Sequence, residues 1–183
     1  MRKTILIIAL LSIVVWACTK QSLKTTYDKQ ATFIDNFVTA QMKADTTATL
    51  VQNGGAWRLT LKDTIVTERD SLDYGGRVTM EYASYILTGA SVSASNLVET
   101  SRKDIATSAG WVLSDTTVFA PVTLTLDKNL VEGLRLGLHG VQPQDECYVL
   151  FTGEYGYGNK ENGTIPAKSA LVYHIWIESI DNE

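Results

Sequence analysis

Residues 130–158 read LVEGLRLGLHGVQPQDECYVLFTGEYGYG. An apolar segment (Leu130, Val131, Leu134, Leu138) leads to a polar turn, Gln142-Pro143-Gln144-Asp145, then to a strand-like run from Cys147 to Phe151. The stretch closes on Tyr155-Gly156-Tyr157-Gly158. Leu130, Leu134 and Leu138 recur every four residues, as on a helix, while Leu134, Leu136 and Leu138 alternate as on a strand. Gly133 and Gly137 each cost a helix about 1 kcal/mol against Ala. Periodicity therefore leaves helix and strand both open for the first segment.

The order of these pieces resembles the second half of an FKBP-type peptidyl-prolyl isomerase. In that family V-I-x-G-W-x-x-G-L is a short helix across the sheet, followed by a turn, a core strand and Y-A-Y-G. Here the helix would be Leu130-Val131-Glu132-Gly133-Leu134-Arg135-Leu136-Gly137-Leu138, with Tyr155-Gly156-Tyr157-Gly158 as the aromatic signature. The family's tail, I-P-x-x-x-x-L-V-F-x-V-x-L, is matched by Ile165-Pro166 and by Leu171-Val172-Tyr173-His174-Ile175-Trp176-Ile177. The resemblance runs over residues 51–180 and is strong after Val122. It implies an α+β fold, an antiparallel sheet wrapped on a short central helix, with an N-terminal helical arm.

Towards the amino terminus, Arg2 and Lys3 precede an apolar run over residues 5–15 that ends at Val15-Trp16-Ala17-Cys18. A positive cap, a short apolar run and a small residue before the cut make a secretory signal peptide. The run is shorter than the ~20 residues that span a bilayer. Cys18 after Val-Trp-Ala resembles the lipidation box of bacterial lipoproteins, which divides the chain into a signal peptide (1–17), a lipidated tether with a helix (18–45) and a folded domain (46–183). Cleavage removes two of 16 basic residues and no acid, so 14 bases face 20 acids and the net charge is −6. That balance argues against nucleic acid as a partner, which requires a basic face. It leaves the membrane to the acyl chains on Cys18 and points to the cell envelope, with the domain in the periplasm. Cys147 is then the remaining thiol, so no intrachain disulfide is available.

Residues 19–23 are polar and read as a tether. Over 26–43, Tyr27, Ala31, Ile34, Phe37, Val38 and Met42 fall at helical spacing. This helix is expected to pack on the domain and to cover Trp176; it is also a candidate homodimer element. Asn53-Gly54-Gly55 predicts a hairpin, and Val78, Met80 and Tyr82 alternate with Thr79 and Glu81 as a half-buried strand. The family's Y-T-G-x-L-x-D-G-x-x-F-D-S-S is matched at Tyr82, Gly89 and Ser95, which puts Val92 at the pocket Phe and Ser93 at the pocket Asp. Residues 96–119 are then an insertion, either a flap or a surface loop.

The amide rotation barrier is ~18–20 kcal/mol, and an apolar pocket lowers it by stripping water and favouring the twisted, less polar transition state. No nucleophile, metal or cofactor is needed, and the sequence holds no G-x-S-x-G, H-E-x-x-H or P-loop. The resemblance implies Tyr157 as a hydroxyl donor, the Val131 N–H as a second donor, Leu134 as the floor in place of the family's Trp, and Tyr82 and Tyr173 as walls. Val92, Ser93, Val122, Leu130 and Ile165 complete the expected lining for a proline-containing segment of a client protein. The loss of aromatic floor and walls implies weak isomerase activity, or a chaperone-like module that binds without catalysis.

Overall fold

The computed structural model describes residues 2–62, 70–114 and 116–182, with the backbone alone for 2–20 and 62. A long helix, α1 (Arg2–Ala44), leads into a hairpin, β1 (Thr49–Asn53) and β2 (Ala56–Lys62). Then come β3 (Arg77–Ile86), β4 (Leu97–Thr100), α2 (Lys103–Ser108), β5 (Val122–Thr125), α3 (Glu132–Leu138), β6 (Glu146–Phe151) and β7 (Leu171–Asp181). The described strands form one sheet in the order β1-β2-β6-β7-β3-β4, with β5 beside β3. Every pairing in it is antiparallel.

Within residues 130–138, Glu132–Leu138 resolve as a helix, and the two glycines explain how. A Cβ on Gly133 would sit 2.1 Å from the Phe151 ring, and one on Gly137 would sit 2.2 Å from Val149 Cγ1. The helix lies on β6 at a distance that only a hydrogen fits, and the propensity lost is returned as packing. Asp127 turns the chain into it by accepting the Asn129 N–H at 2.8 Å. The Gly133 N–H, unpaired within the first turn of any helix, donates to the Tyr155 carbonyl at 2.8 Å.

The sheet buries both faces. On the inner face Leu134 and Leu138 of α3 join Val78, Met80, Cys147, Val149, Phe151, Leu171, Tyr173, Ile175 and Ile177. On the outer face Ile34, Phe37 and Val38 of α1 cover Leu59, Leu150 and Val172, and the Phe37 ring meets Tyr148 edge-on at 5.1 Å. Burying side chains of this kind contributes roughly 1.5–3 kcal/mol each, so α1 is an integral layer of the domain.

Two expectations about α1 change. Residues 19–23 are helical, continuous with the rest, and are not set apart as a tether. Trp176 is not under α1: the Arg102 guanidinium lies over its ring at 4.5 Å and His174 stacks beside it at 3.9 Å. The reason is position, because α1 reaches the sheet at Leu150 and Val172 while Trp176 lies further along β7. The side chain of Cys18, the expected lipid acceptor, lies outside the described residues. Among the described residues no helix is long and apolar enough to cross a membrane. Cys147 is fully buried, and burial pushes its thiol up to about 12, which makes it a small core hydrophobe rather than a nucleophile.

Candidate active site

The inner face carries a ring of side chains, in the sense of one contiguous cluster, in which partly covered residues pack on the core that holds Leu134. β3 supplies Tyr82, β5 Val122, β7 Tyr173, the turn into α3 Leu130 and Val131, and the β6–β7 loop Tyr157 and Ile165, all packed on one cluster. Eight of the ten expected pocket residues are thus brought together from sequence positions 82 to 173. Leu134 is 5% exposed and Ile165 6%; Tyr173 is 9% exposed, while Tyr82 and Tyr157 are half-buried at the rim. The Tyr173 ring stacks on Phe151 at 5.9 Å and is tilted against Tyr82 at 6.2 Å. Val131 is the N-cap of α3 (φ −53°, ψ 131°), so its N–H lies ahead of the helix's own ladder.

Hydroxyl groups give this apolar cluster its polarity. Burial, and then the charge and hydrogen bonding of its neighbours, raises the phenol of Tyr173 far above its ordinary range; Tyr157 is its hydrogen-bond partner. Tyr82 is raised by burial first and then by the hydrogen bond its hydroxyl donates to the Glu99 carboxylate. Both phenols stay protonated at any physiological pH, as donors must. Among the described residues no group of histidines, cysteines and acids is arranged to hold a metal.

Val92 and Ser93 are not part of the ring. Val92 packs on the outer face beside Tyr85 and Tyr148, and with Ser93, Leu97 and Ile105 it lines a separate hollow. Ser93 is exposed and hydrogen-bonds with Ser95 and Asn96, at 2.8 Å each. Val92 and Ser93 both lie on the connection between β3 and β4, just ahead of and at the N-cap of a 3-10 turn at Ala94–Asn96. β4 reaches the inner cluster instead: Val98 joins it, Glu99 bears on Tyr82, and Thr100 Oγ1 donates to the Tyr82 carbonyl at 2.8 Å. Within the expected insertion lie β4 and the short helix α2.

Residues 72–178 match the family model of the FKBP-type peptidyl-prolyl cis-trans isomerases. The fold is similar to the three FKBP domains of wheat FKBP73, with a TM-score of 0.55 and 18% identity over 73% of this chain and 50% of that one, so this chain spans half the wheat chain's length. It is also similar to FkpA from Escherichia coli, with a TM-score of 0.55 and 12% identity over 95% of this chain and 70% of that one. A peptidyl-prolyl cis-trans isomerase from Pseudomonas syringae pv. tomato aligns with a TM-score of 0.56 and 14% identity over 87% of this chain and 96% of that one. No curated protein matches the chain in sequence. Identities this low speak for the fold; the family rests on the match that spans the tyrosine ring, the helix beneath it and the last strand, and by that match the chain belongs to the FKBP-type peptidyl-prolyl cis-trans isomerases.

Proposed function

We propose that the chain is a weak prolyl isomerase that acts on exported client proteins while held to a membrane by a lipid on Cys18. Family membership implies the isomerase activity. The observation that carries the reading is the ring itself: an apolar floor at Leu134 and Ile165 beneath the tyrosines Tyr82, Tyr157 and Tyr173. A proline ring seated on Leu134 leaves water behind, and the amide loses the solvation that favours its planar, charge-separated form. The Tyr157 hydroxyl and the Val131 N–H then hold the flanking carbonyls, and Tyr82, Val122, Leu130 and Tyr173 wall the ring in. Rotation needs no proton transfer, so the protonated state of the phenols is the working one.

The test is exchange of an X-Pro peptide followed by NMR with the purified chain. The expected result is faster cis–trans exchange, with Tyr157→Phe lowering kcat/KM by about tenfold, the worth of one lost neutral donor. Absence of acceleration at high protein concentration defeats the enzymatic reading. The second reading, binding without catalysis, is favoured by Leu134 and Val122, which by the resemblance stand where the family carries aromatic side chains; it expects peptide binding and suppressed client aggregation without a rate effect. The tether is supported by Arg2 and Lys3 before the apolar run and by Cys18 after Val15-Trp16-Ala17. Cys18→Ser should abolish fatty-acid labelling and release the chain from the membrane fraction. A dimer through α1 would need a face other than Ile34, Phe37 and Val38, which its own sheet already buries.

A further inference from the structure

The N-terminal helix is hydrogen-bonded to the β6–β7 loop through the side chain of Gln30. Gln30 is 9% exposed, and both ends of its amide are used. Its Oε1 accepts the Gly153 N–H at 2.9 Å, and its Nε2 donates to the Lys168 carbonyl at 2.5 Å. The circuit closes through the backbone: the Gly158 N–H donates to the Gly153 carbonyl at 2.8 Å, and the Lys168 N–H donates to the Gly158 carbonyl at 2.6 Å. Lys168 adopts φ 61°, a left-handed conformation unfavourable for a residue with a Cβ, in making these contacts. Tyr155 and Tyr157 lie between the first two corners of this circuit, and Ile165 lies between the second and third. These residues rim or floor the hollow.

We infer that Gln30 is a positioning residue of the proline site: it closes a hydrogen-bonded circuit at the base of the β6–β7 loop and so sets where Tyr157 and Ile165 stand. The inference rests on the reading that the hollow takes a proline-containing segment. Gln30 touches no substrate and acts through Gly153 and Lys168. Without it the Gly153 N–H and the Lys168 carbonyl lose their partner beneath α1, and a loop whose ends are free to shift by an ångström misplaces a donor enough to cost up to about 100-fold in rate. The N-terminal helix is thereby part of the active site's framework, and a pull on it would be felt at Tyr157.

Gln30→Met keeps the length and apolar packing of the side chain and removes both hydrogen bonds; Gln30→Glu keeps the acceptor for Gly153 and loses the donor to Lys168. Full-length wild type and both variants are compared by site-resolved amide exchange, by NMR titration with an X-Pro peptide and by catalysed exchange of that peptide. The expected result for Gln30→Met is about tenfold faster exchange at Gly153, Gly158 and Lys168, with β3 and β7 amides as in wild type. Peptide affinity and kcat/KM fall by about tenfold with it, and Gln30→Glu restores protection at Gly153 only. Wild-type loop protection and affinity in Gln30→Met overturn the inference, as does acceleration shared equally by β3 and β7, which marks general loosening. Wild type that binds but does not catalyse defeats the isomerase reading alone, since affinity still reads the positioning. Wild type that does neither defeats the proline site and this inference with it.

Discussion

Glu99 carries a carboxylate charge that bears on Tyr82 at the rim, and it does so by accepting the Tyr82 hydroxyl. Burial, that hydrogen bond and that charge all hold the proton on Tyr82. Replacing Glu99 with Gln keeps an acceptor of the same reach and removes the charge. The alkaline titration of Tyr82, followed by phenolate absorbance, is expected to begin at lower pH in Glu99→Gln than in wild type; an unchanged titration shows burial acting alone. Stability carries the same sign. Tyr82 and Tyr173 titrate higher in the folded chain than the ordinary 10.0, so their contribution is complete below pH 10 and is lost as the pH rises past it, where the unfolded chain gives up protons first. Glu99 also marks the limit of counting along the chain. Tyr82 and Gly89 can be matched to the family by eye, but lengthening a surface connection costs so little that spacing stops being a guide beyond them. Pairing of Ala83 with Thr100, a tertiary fact, sets the register instead.

The short helix α3 turns on a contest between two energies that a sequence pattern does not rank. Gly133→Ala gains about 1 kcal/mol of helix propensity, yet its new methyl would meet the Phe151 ring at 2.1 Å. Overpacking of a tight core costs about 1–3 kcal/mol, and the closeness of this contact places the net effect on the destabilising side. The expected result is a lower denaturant midpoint at unchanged slope, with peptide affinity falling because Leu134 and Val131 ride on the displaced helix. A raised midpoint would show Phe151 yielding freely. The same contest explains why 130–138 stays ambiguous on periodicity: the partner that requires the glycines, Phe151, comes from a different element. The strands were legible for the converse reason. Leu171, Tyr173, Ile175 and Ile177 alternate with Val172, His174 and Trp176, and the two sets do face opposite sides of the sheet. What alternation left out was the cover over the second set, since an arginine above an indole leaves no apolar trace in the sequence.

Across the whole molecule, the outer face is shared between the apolar cover of α1 and a polar patch centred on His174. Tyr148 of β6 and Trp176 of β7 stack on its imidazole at 4.2 and 3.9 Å. Glu146 of β6 lies 2.8 Å from its Nε2. Arg102, ahead of α2, pairs with Glu81 of β3 at 3.2 Å and with Asp104 at 3.0 Å while capping Trp176. Burial favours the neutral imidazole; the Glu146 carboxylate opposes it by hydrogen bond and charge, and the Arg102 charge sides with burial. Burial prevails, so His174 takes up a proton less readily when folded than the ordinary 6.5. As pH falls below 6.5 the unfolded chain protonates first, so the contribution of His174 is present above that value and drains away below it. This patch joins β3, β6 and β7, the strands that also carry Tyr82, Phe151 and Tyr173 on the other side, so loosening it loosens the wall behind the hollow. His174→Gln keeps a polar planar group near Glu146 and cannot titrate. Comparing urea midpoints at about pH 7.5 and about pH 5.5, the wild type is expected to lose more stability on acidification than the variant. Equal losses would assign the acid limb to the carboxylates elsewhere, and a larger loss in the variant would mean that the Glu146 pairing outweighs burial and that His174 is held charged.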